Sequence, residues 1–184
     1  MKKEIKKIIE IPDNVKITID NDKITSKGPL GTVTKKFKLG KIILKIEGNK
    51  MIVWYSKATK REKKMINTIA SYIQSMIVGV TKGFEYKLQI CAVHFPITTK
   101  VDNQNNEFVI KNFLGESKDR IAKIFPEVNI NVNGDIITVK GADKELVGQQ
   151  AANLETATKV AKLDRRIFQD GIWIISKEKG RKQK

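Results

Sequence analysis

The sequence predicts an α+β protein in which one small unit, mostly antiparallel sheet crossed by a helix, is written twice. Three observations predict it. Two strand–turn–strand segments carry glycine at the turn, each is followed by a helical pattern, and matching landmarks recur at a near-constant interval, Gly31 with Gly115 and Glu62 with Glu145.

The first repeat opens its readable pattern at Ile24-Thr25-Ser26-Lys27, a strand that enters a tight Gly28-Pro29-Leu30-Gly31 turn. Proline at the second position suits a β-turn, not a phosphate cradle. Next comes a hairpin over residues 43–54, alternating strands about Gly48-Asn49. From Lys60 to Val80, Met65, Ile66, Ile69, Ile73, Met76, Ile77 and Val80 fall at i, i+3, i+4, i+7 spacing, one apolar stripe to lay on a sheet. Polar Asn67, Thr68, Ser71 and Gln74 take the other side, and glycines at 79 and 83 end the helix.

The second repeat follows the same order. Tyr86–Phe95 reads as a strand, and Phe108–Gly115 has the shape of the first repeat's strand and turn. A hairpin over 128–139 alternates about Asn133-Gly134. A helix capped by Asp143 runs towards Lys162 through Leu146, Val147, Ala151 and Leu154. The expected organisation is residues 1–82, residues 83–176, and a basic tail at 177–184 without apolar period, unstructured when free.

At 184 residues with a hydrophobic fraction of 40%, the chain can bury two modest cores. No apolar run approaches the roughly 20 residues that span a bilayer, and the basic start lacks a signal-like apolar stretch. Cys91 is the single cysteine, which fits a reducing cytosol. The expected location is cytoplasmic.

A formal net charge of +16 calls for a polyanionic partner. Residues 1–82 hold 19 Lys and Arg against 7 Asp and Glu, residues 83–158 hold 8 against 10, and residues 159–184 hold 9 against 3. Lysine enrichment alone would not leave the middle of the chain acidic. Arginine occurs at only five positions, 61, 120, 165, 166 and 181. A guanidinium grips phosphate through two parallel hydrogen bonds, which an ammonium cannot do. Arg165 and Arg166 are therefore expected on RNA. Phe168 and Trp173 beside them could stack on unpaired bases, although packing on their own core is the simpler role.

Catalytic patterns are missing. His94 is the only histidine, three residues from Cys91 and hence on the opposite strand face, and no Cys or His pair exists to hold zinc. Neither enzyme activity, a metal nor a cofactor is expected. A regulatory RNA-binding protein and a membrane-surface protein are the rival classes, the latter disfavoured because the 60–80 helix lacks a lysine-rich face.

Taken in order, Gly28-Pro29-Leu30-Gly31, Asn112-Phe113-Leu114-Gly115-Glu116, Gly148-Gln149-Gln150-Ala151-Ala152-Asn153 and Phe168-Gln169-Asp170-Gly171-Ile172 resemble the family of the universal sixth protein of the large ribosomal subunit, in its archaeal and eukaryotic form. The resemblance covers nearly the whole chain. It implies two similar α+β domains and binding to large-subunit rRNA near the factor-binding centre, by the sarcin–ricin loop and stalk base, as a monomer beside other ribosomal proteins. Carried over by position, the implied contacts are Lys144, Gln149 and Asn153 on the second helix. Lys159, Lys162, Arg165 and Arg166 follow it, then Lys177, Lys179 and Arg181. The Pro-Tyr-Lys-Gly-Lys-Gly-like tail of the bacterial branch is absent, so that branch's contacts do not transfer beyond residue 158. Charge makes the first repeat the more basic, whereas the family emphasis falls on the second. Diffuse screening by first-repeat lysines and register from the C-terminal segment reconcile the two. Removing 159–184 is then expected to weaken rRNA binding more than neutralising six first-repeat lysines.

Overall fold

The computed structural model describes residues 3–161 and 163–177, and contacts divide the chain into units Met1–Gly83 and Phe84–Lys184. The first unit contains β1 (Lys3–Glu10), β2 (Lys16–Asp20), β3 (Lys23–Gly28), β4 (Gly31–Lys36), β5 (Ile43–Glu47), β6 (Lys50–Ala58) and α1 (Lys60–Lys82). The second contains β7 (Phe84–Cys91), β8 (Thr98–Asp102), β9 (Glu107–Lys111), β10 (Arg120–Lys123), β11 (Val128–Asn133), β12 (Ile136–Gly141), α2 (Lys144–Ala157) and β13 (Gly171–Lys177). Every pairing among these described strands is antiparallel. Sheet order β1-β6-β5 in the first unit recurs as β7-β12-β11 in the second, and β2-β3-β4 recurs as β8-β9-β10. The fold is α+β and duplicated. The second unit departs from the first by β13, which pairs with the outer edge of β7 from Gly171 opposite Cys91 to Lys177 opposite Tyr86.

Local chemistry explains the elements. Both hairpins turn through two residues led by glycine, Gly48-Asn49 and Gly134-Asp135, with the glycines at φ 56° and 57°. Glycine at the first turn position provides the positive φ of a turn whose twist matches the strands. The second turn is thus one residue later than the Asn133-Gly134 expected; Asn133 is the last residue of β11. Thr59 caps α1: its hydroxyl oxygen accepts from the Arg61 N–H at 3.3 Å, and Glu62 accepts from the Thr59 N–H at 2.8 Å. The bonds that Thr59 donates, its hydroxyl's foremost, hold the Glu62 carboxyl below its usual value. Ile66, Ile69, Ile73, Met76, Ile77 and Val80 are buried along the expected stripe, while Met65 sits half-buried at its margin.

The Gly28-Pro29-Leu30-Gly31 turn docks on the last turn of α1, where the Leu30 N–H donates to the Val80 carbonyl at 3.0 Å. A Cβ at Gly28 would lie 2.8 Å from both the Val80 carbonyl oxygen and its Cγ2. Backbone cannot yield as a side-chain tip can. Gly28→Ala is therefore expected to destabilise the first unit by about 1–3 kcal/mol, measured by urea unfolding.

The counterpart in the second unit is built differently. β9 ends at Lys111, and the chain passes through Asn112, Leu114 and Gly115 at φ 57°, 51° and 73° in a short 3-10 turn before β10 begins at Arg120. The equal shape expected from the sequence does not hold. Two residues join β3 to β4, whereas Phe113 here dives into the core and lengthens the connection. That core gathers Leu88, Phe108, Ile110, Phe113, Ile137, Leu154 and Ile172, each almost wholly buried. Val147, Ala151 and Leu154 of α2 reach it, with smaller side chains than those of α1.

Two further boundaries differ from expectation. α2 stops at Ala157, well short of Lys162, because buried Thr158 turns its hydroxyl to the Ile172 N–H of β13 at 2.9 Å and ties the helix end to that strand. β7 stops at Cys91, not Phe95, because the N–H groups of Val93 and His94 are taken by a side chain from another segment.

Candidate nucleic-acid interface

That side chain is Asp170, buried to 1% exposure. Its Oδ1 accepts from the backbone N–H of Val93 at 2.7 Å and of His94 at 2.9 Å, and its Oδ2 accepts from the His94 ring Nδ1 at 2.6 Å. An ionised carboxylate can only accept, so the ring nitrogen facing it carries the proton. Burial pushes the Asp170 carboxyl up, but the His94 backbone N–H, the His94 ring and the Val93 N–H together outweigh it. The group settles below its ordinary value of 3.8. The His94 ring in turn packs on Phe168, centroids 4.8 Å apart. One buried acid thus fastens the segment before β13 to the loop after β7.

Between Asp164 and Gln169 the chain forms a turn closed by its own groups. The Asp164 carbonyl accepts from the N–H groups of Ile167 at 3.1 Å and Phe168 at 2.9 Å, and its side chain accepts from the Arg166 N–H at 2.9 Å. Gln169 donates to the Arg166 carbonyl at 3.2 Å, and the Trp173 indole N–H donates to the Gln169 carbonyl at 3.2 Å. Such a turn holds its shape while Arg165 and Arg166 stay exposed. Among the described residues neither guanidinium has an ion pair or side-chain hydrogen bond. Arg120 is the contrast. It grips Glu116 at 2.6 and 2.8 Å, donates to the carbonyls of Ala157 and Lys159 at 3.0 and 3.1 Å, and lies 4.2 Å from the Phe113 ring centroid. Arg120 is an internal strut, and its grip keeps the Glu116 carboxyl below its usual value.

The remaining expected contact residues fall into three groups. On α2, Gln149 and Asn153 lie one turn apart on the side away from the core, the Gln149 amide donating to Asn153 at 2.9 Å. Lys144 stands on another flank at the start of the helix, its ammonium 5.9 Å from the Phe84 ring centroid. The adjacent Gln150, part of the same sequence motif, is wholly buried: it accepts from the Phe125 N–H at 3.0 Å and donates to the Lys123 carbonyl at 3.1 Å. That position of the motif therefore serves the fold. Lys159 is exposed just past the helix. Lys177, expected from the sequence to start a free tail, is the exposed last residue of β13, since the open edge of β7 gives its backbone a partner. Lys162, Lys179 and Arg181 lie outside the described residues.

The two aromatics divide. Phe168 is half-buried against the core and His94, as expected. Trp173 is on the outward side of β13 and 37% exposed, contrary to the core role that is simpler from sequence, because the alternation of that strand gives the inward place to Ile172. A surface cavity of about 580 Å³ opens between the end of β7, at Cys91 and Val93, and the turn, at Arg165, Phe168, Gln169 and Trp173. No sequence motif announces it; its walls come from segments about 80 residues apart in the chain. Among the described residues no three His, Cys, Asp or Glu side chains converge as a metal site.

Comparison with known proteins matches both repeats to one family model, ribosomal protein L6, at residues 11–83 and 95–171. The chain is 45% identical over 177 residues to the large ribosomal subunit protein uL6 of Methanosarcina mazei, covering 96% of this chain and 99% of that one. To the protein of the same name from Staphylothermus marinus it is 51% identical, covering 90% of this chain and 91% of the relative. For that of Methanobrevibacter smithii the identity is 44%, with 95% and 97% covered. These three carry ribosomal-protein names, not enzyme names. With both copies of the unit matched and such relatives aligned nearly end to end, the chain belongs to the ribosomal protein L6 family.

Proposed function

We propose that the chain is a structural protein of the cytoplasmic large ribosomal subunit that binds large-subunit rRNA near the factor-binding centre, by the sarcin–ricin loop and the stalk base. It performs no catalysis. Its part is architectural: cationic side chains offset phosphate repulsion, and rigid sheets hold rRNA segments in a fixed relation. The observation that carries the reading is the self-closed turn at 164–169. It presents two arginines without an acidic partner among the described residues, while the arginine used for internal bracing, Arg120, is already engaged by Glu116 and two backbone carbonyls. A net charge of +16 and the names of the relatives support the same partner. Lys144, Gln149, Asn153, Lys159, Lys162, Lys177, Lys179 and Arg181 complete the proposed contact set with Arg165 and Arg166.

Sedimentation of host extract through sucrose separates this from a free regulatory RNA-binding protein. One copy per large subunit, retained through a moderate salt wash, is the expected result; a pool at the top of the gradient would favour the regulator. Deleting 159–184 is not a clean measure of binding. It would also remove β13 and the buried Val160, Asp170 and Ile172, and so unfold the second unit.

A further inference from the structure

The cavity beside Arg165 is more than a phosphate contact requires. A phosphate is held by donors alone, whereas this cavity has apolar walls at Cys91 and Val93, the latter 70% exposed, and the indole of Trp173 in its lining. At about 580 Å³ it falls within the roughly 300–1,000 Å³ of small-ligand sites. Both aromatic rings are fixed before anything arrives, Trp173 by its bond to the Gln169 carbonyl and Phe168 by the His94 ring, itself held by Asp170. Little ordering remains to oppose binding. Arg165 on the rim adds charge of the sign that a nucleic-acid strand demands.

Building on the proposed function, we propose that this cavity receives one unpaired nucleobase of an RNA strand, stacked on the Trp173 indole, with Arg165 on the adjoining phosphate. A planar, amphipathic base matches a cavity with apolar walls and a cationic rim, and base–aromatic stacking tolerates any of the four bases.

The test uses the full chain with Trp54→Phe, which leaves Trp173 as the only indole. Its emission and affinity are followed with a single-stranded RNA octamer and with an abasic ribose-phosphate octamer of equal charge, at one salt concentration. The RNA octamer is expected to quench Trp173 and to bind about tenfold more tightly than the abasic one, within the range that stacking gives per base. It should also slow alkylation of Cys91, the single cysteine, more than the abasic octamer does, a readout that needs no variant of the cavity. Trp173→Leu, checked for folding by circular dichroism, should reduce the octamer's affinity to the abasic value. Equal affinities, equal protection of Cys91, or a preference that survives in Trp173→Leu each overturns the base site. Filter retention of large-subunit rRNA by the same preparation separates the two levels. Retention with no preference between octamers removes the base site alone, whereas loss of retention removes the proposed function beneath it.

Discussion

Asp170→Ala is expected to destabilise the second unit by about 2–4 kcal/mol, more than any other single substitution named above. The carboxylate satisfies two backbone N–H groups and one imidazole at 2.6–2.9 Å, and alanine leaves both N–H groups without that acceptor in a part-buried place. Asp170→Asn keeps an acceptor for the backbone and obliges His94 to change only its tautomer, so about 1 kcal/mol is expected there. Urea unfolding followed by Trp173 fluorescence in the Trp54→Phe background reads both. The pH dependence has a definite sign. The native carboxyl is depressed below its ordinary 3.8, so its contribution is present above that value and disappears as pH falls through the lower native one. The difference between wild type and Asp170→Ala should therefore vanish in strong acid, to the extent that the carboxylate's charge accounts for it. A gap between them that persisted undiminished to the lowest pH at which both proteins remain folded would mean that the acid acts by shape and not by charge.

Arg165→Gln with Arg166→Gln is expected to weaken binding of large-subunit rRNA by about 10–100-fold at about 0.1–0.2 M salt. The slope of log affinity against log salt should fall by about one for each phosphate that no longer meets a guanidinium. Both side chains are exposed and outside the core, so the melting temperature should hardly move. Neutralising six exposed lysines of the first unit, Lys6, Lys7, Lys16, Lys23, Lys27 and Lys45, removes three times as much charge. It should nonetheless cost less affinity, because screening by scattered ammonium groups has no fixed geometry to lose. Filter binding across a salt series decides between them. A greater loss from the lysines would reverse the division of labour between the units.

Much of the fold is legible in the sequence because its signals are local. The stripe from Ile66 to Val80 needs only the helical period, the two hairpins need only a glycine where φ turns positive, and the recurrence of those signals exposes the duplication. Charge points to a polyanion, and the scarcity of arginine singles out Arg165 and Arg166 from a background of lysine. Where sequence and structure part, the reasons are equally physical. The sequence pattern extends α2 too far because nothing in the residues after Ala157 forbids helix; the Thr158 hydroxyl ends it by serving a strand beginning at residue 171. Gln149 and Gln150 are the same residue type side by side, yet one faces outward and the other braces the loop between β10 and β11. His94 looks like an inert strand end in the sequence because its partner lies 76 residues away.

By itself the sequence determined the α+β class, the twofold repeat and the surplus of positive charge, since each follows from periodicity, turn chemistry or composition along short stretches. Only the tertiary structure decided that β13 closes the edge of β7 in one repeat, that Asp170 fastens the arginine turn to His94, and that Trp173 faces outward over a cavity. Those are long-range matters: a strand edge, a buried charge and a cavity wall each take their meaning from a partner that the chain supplies only after it has folded.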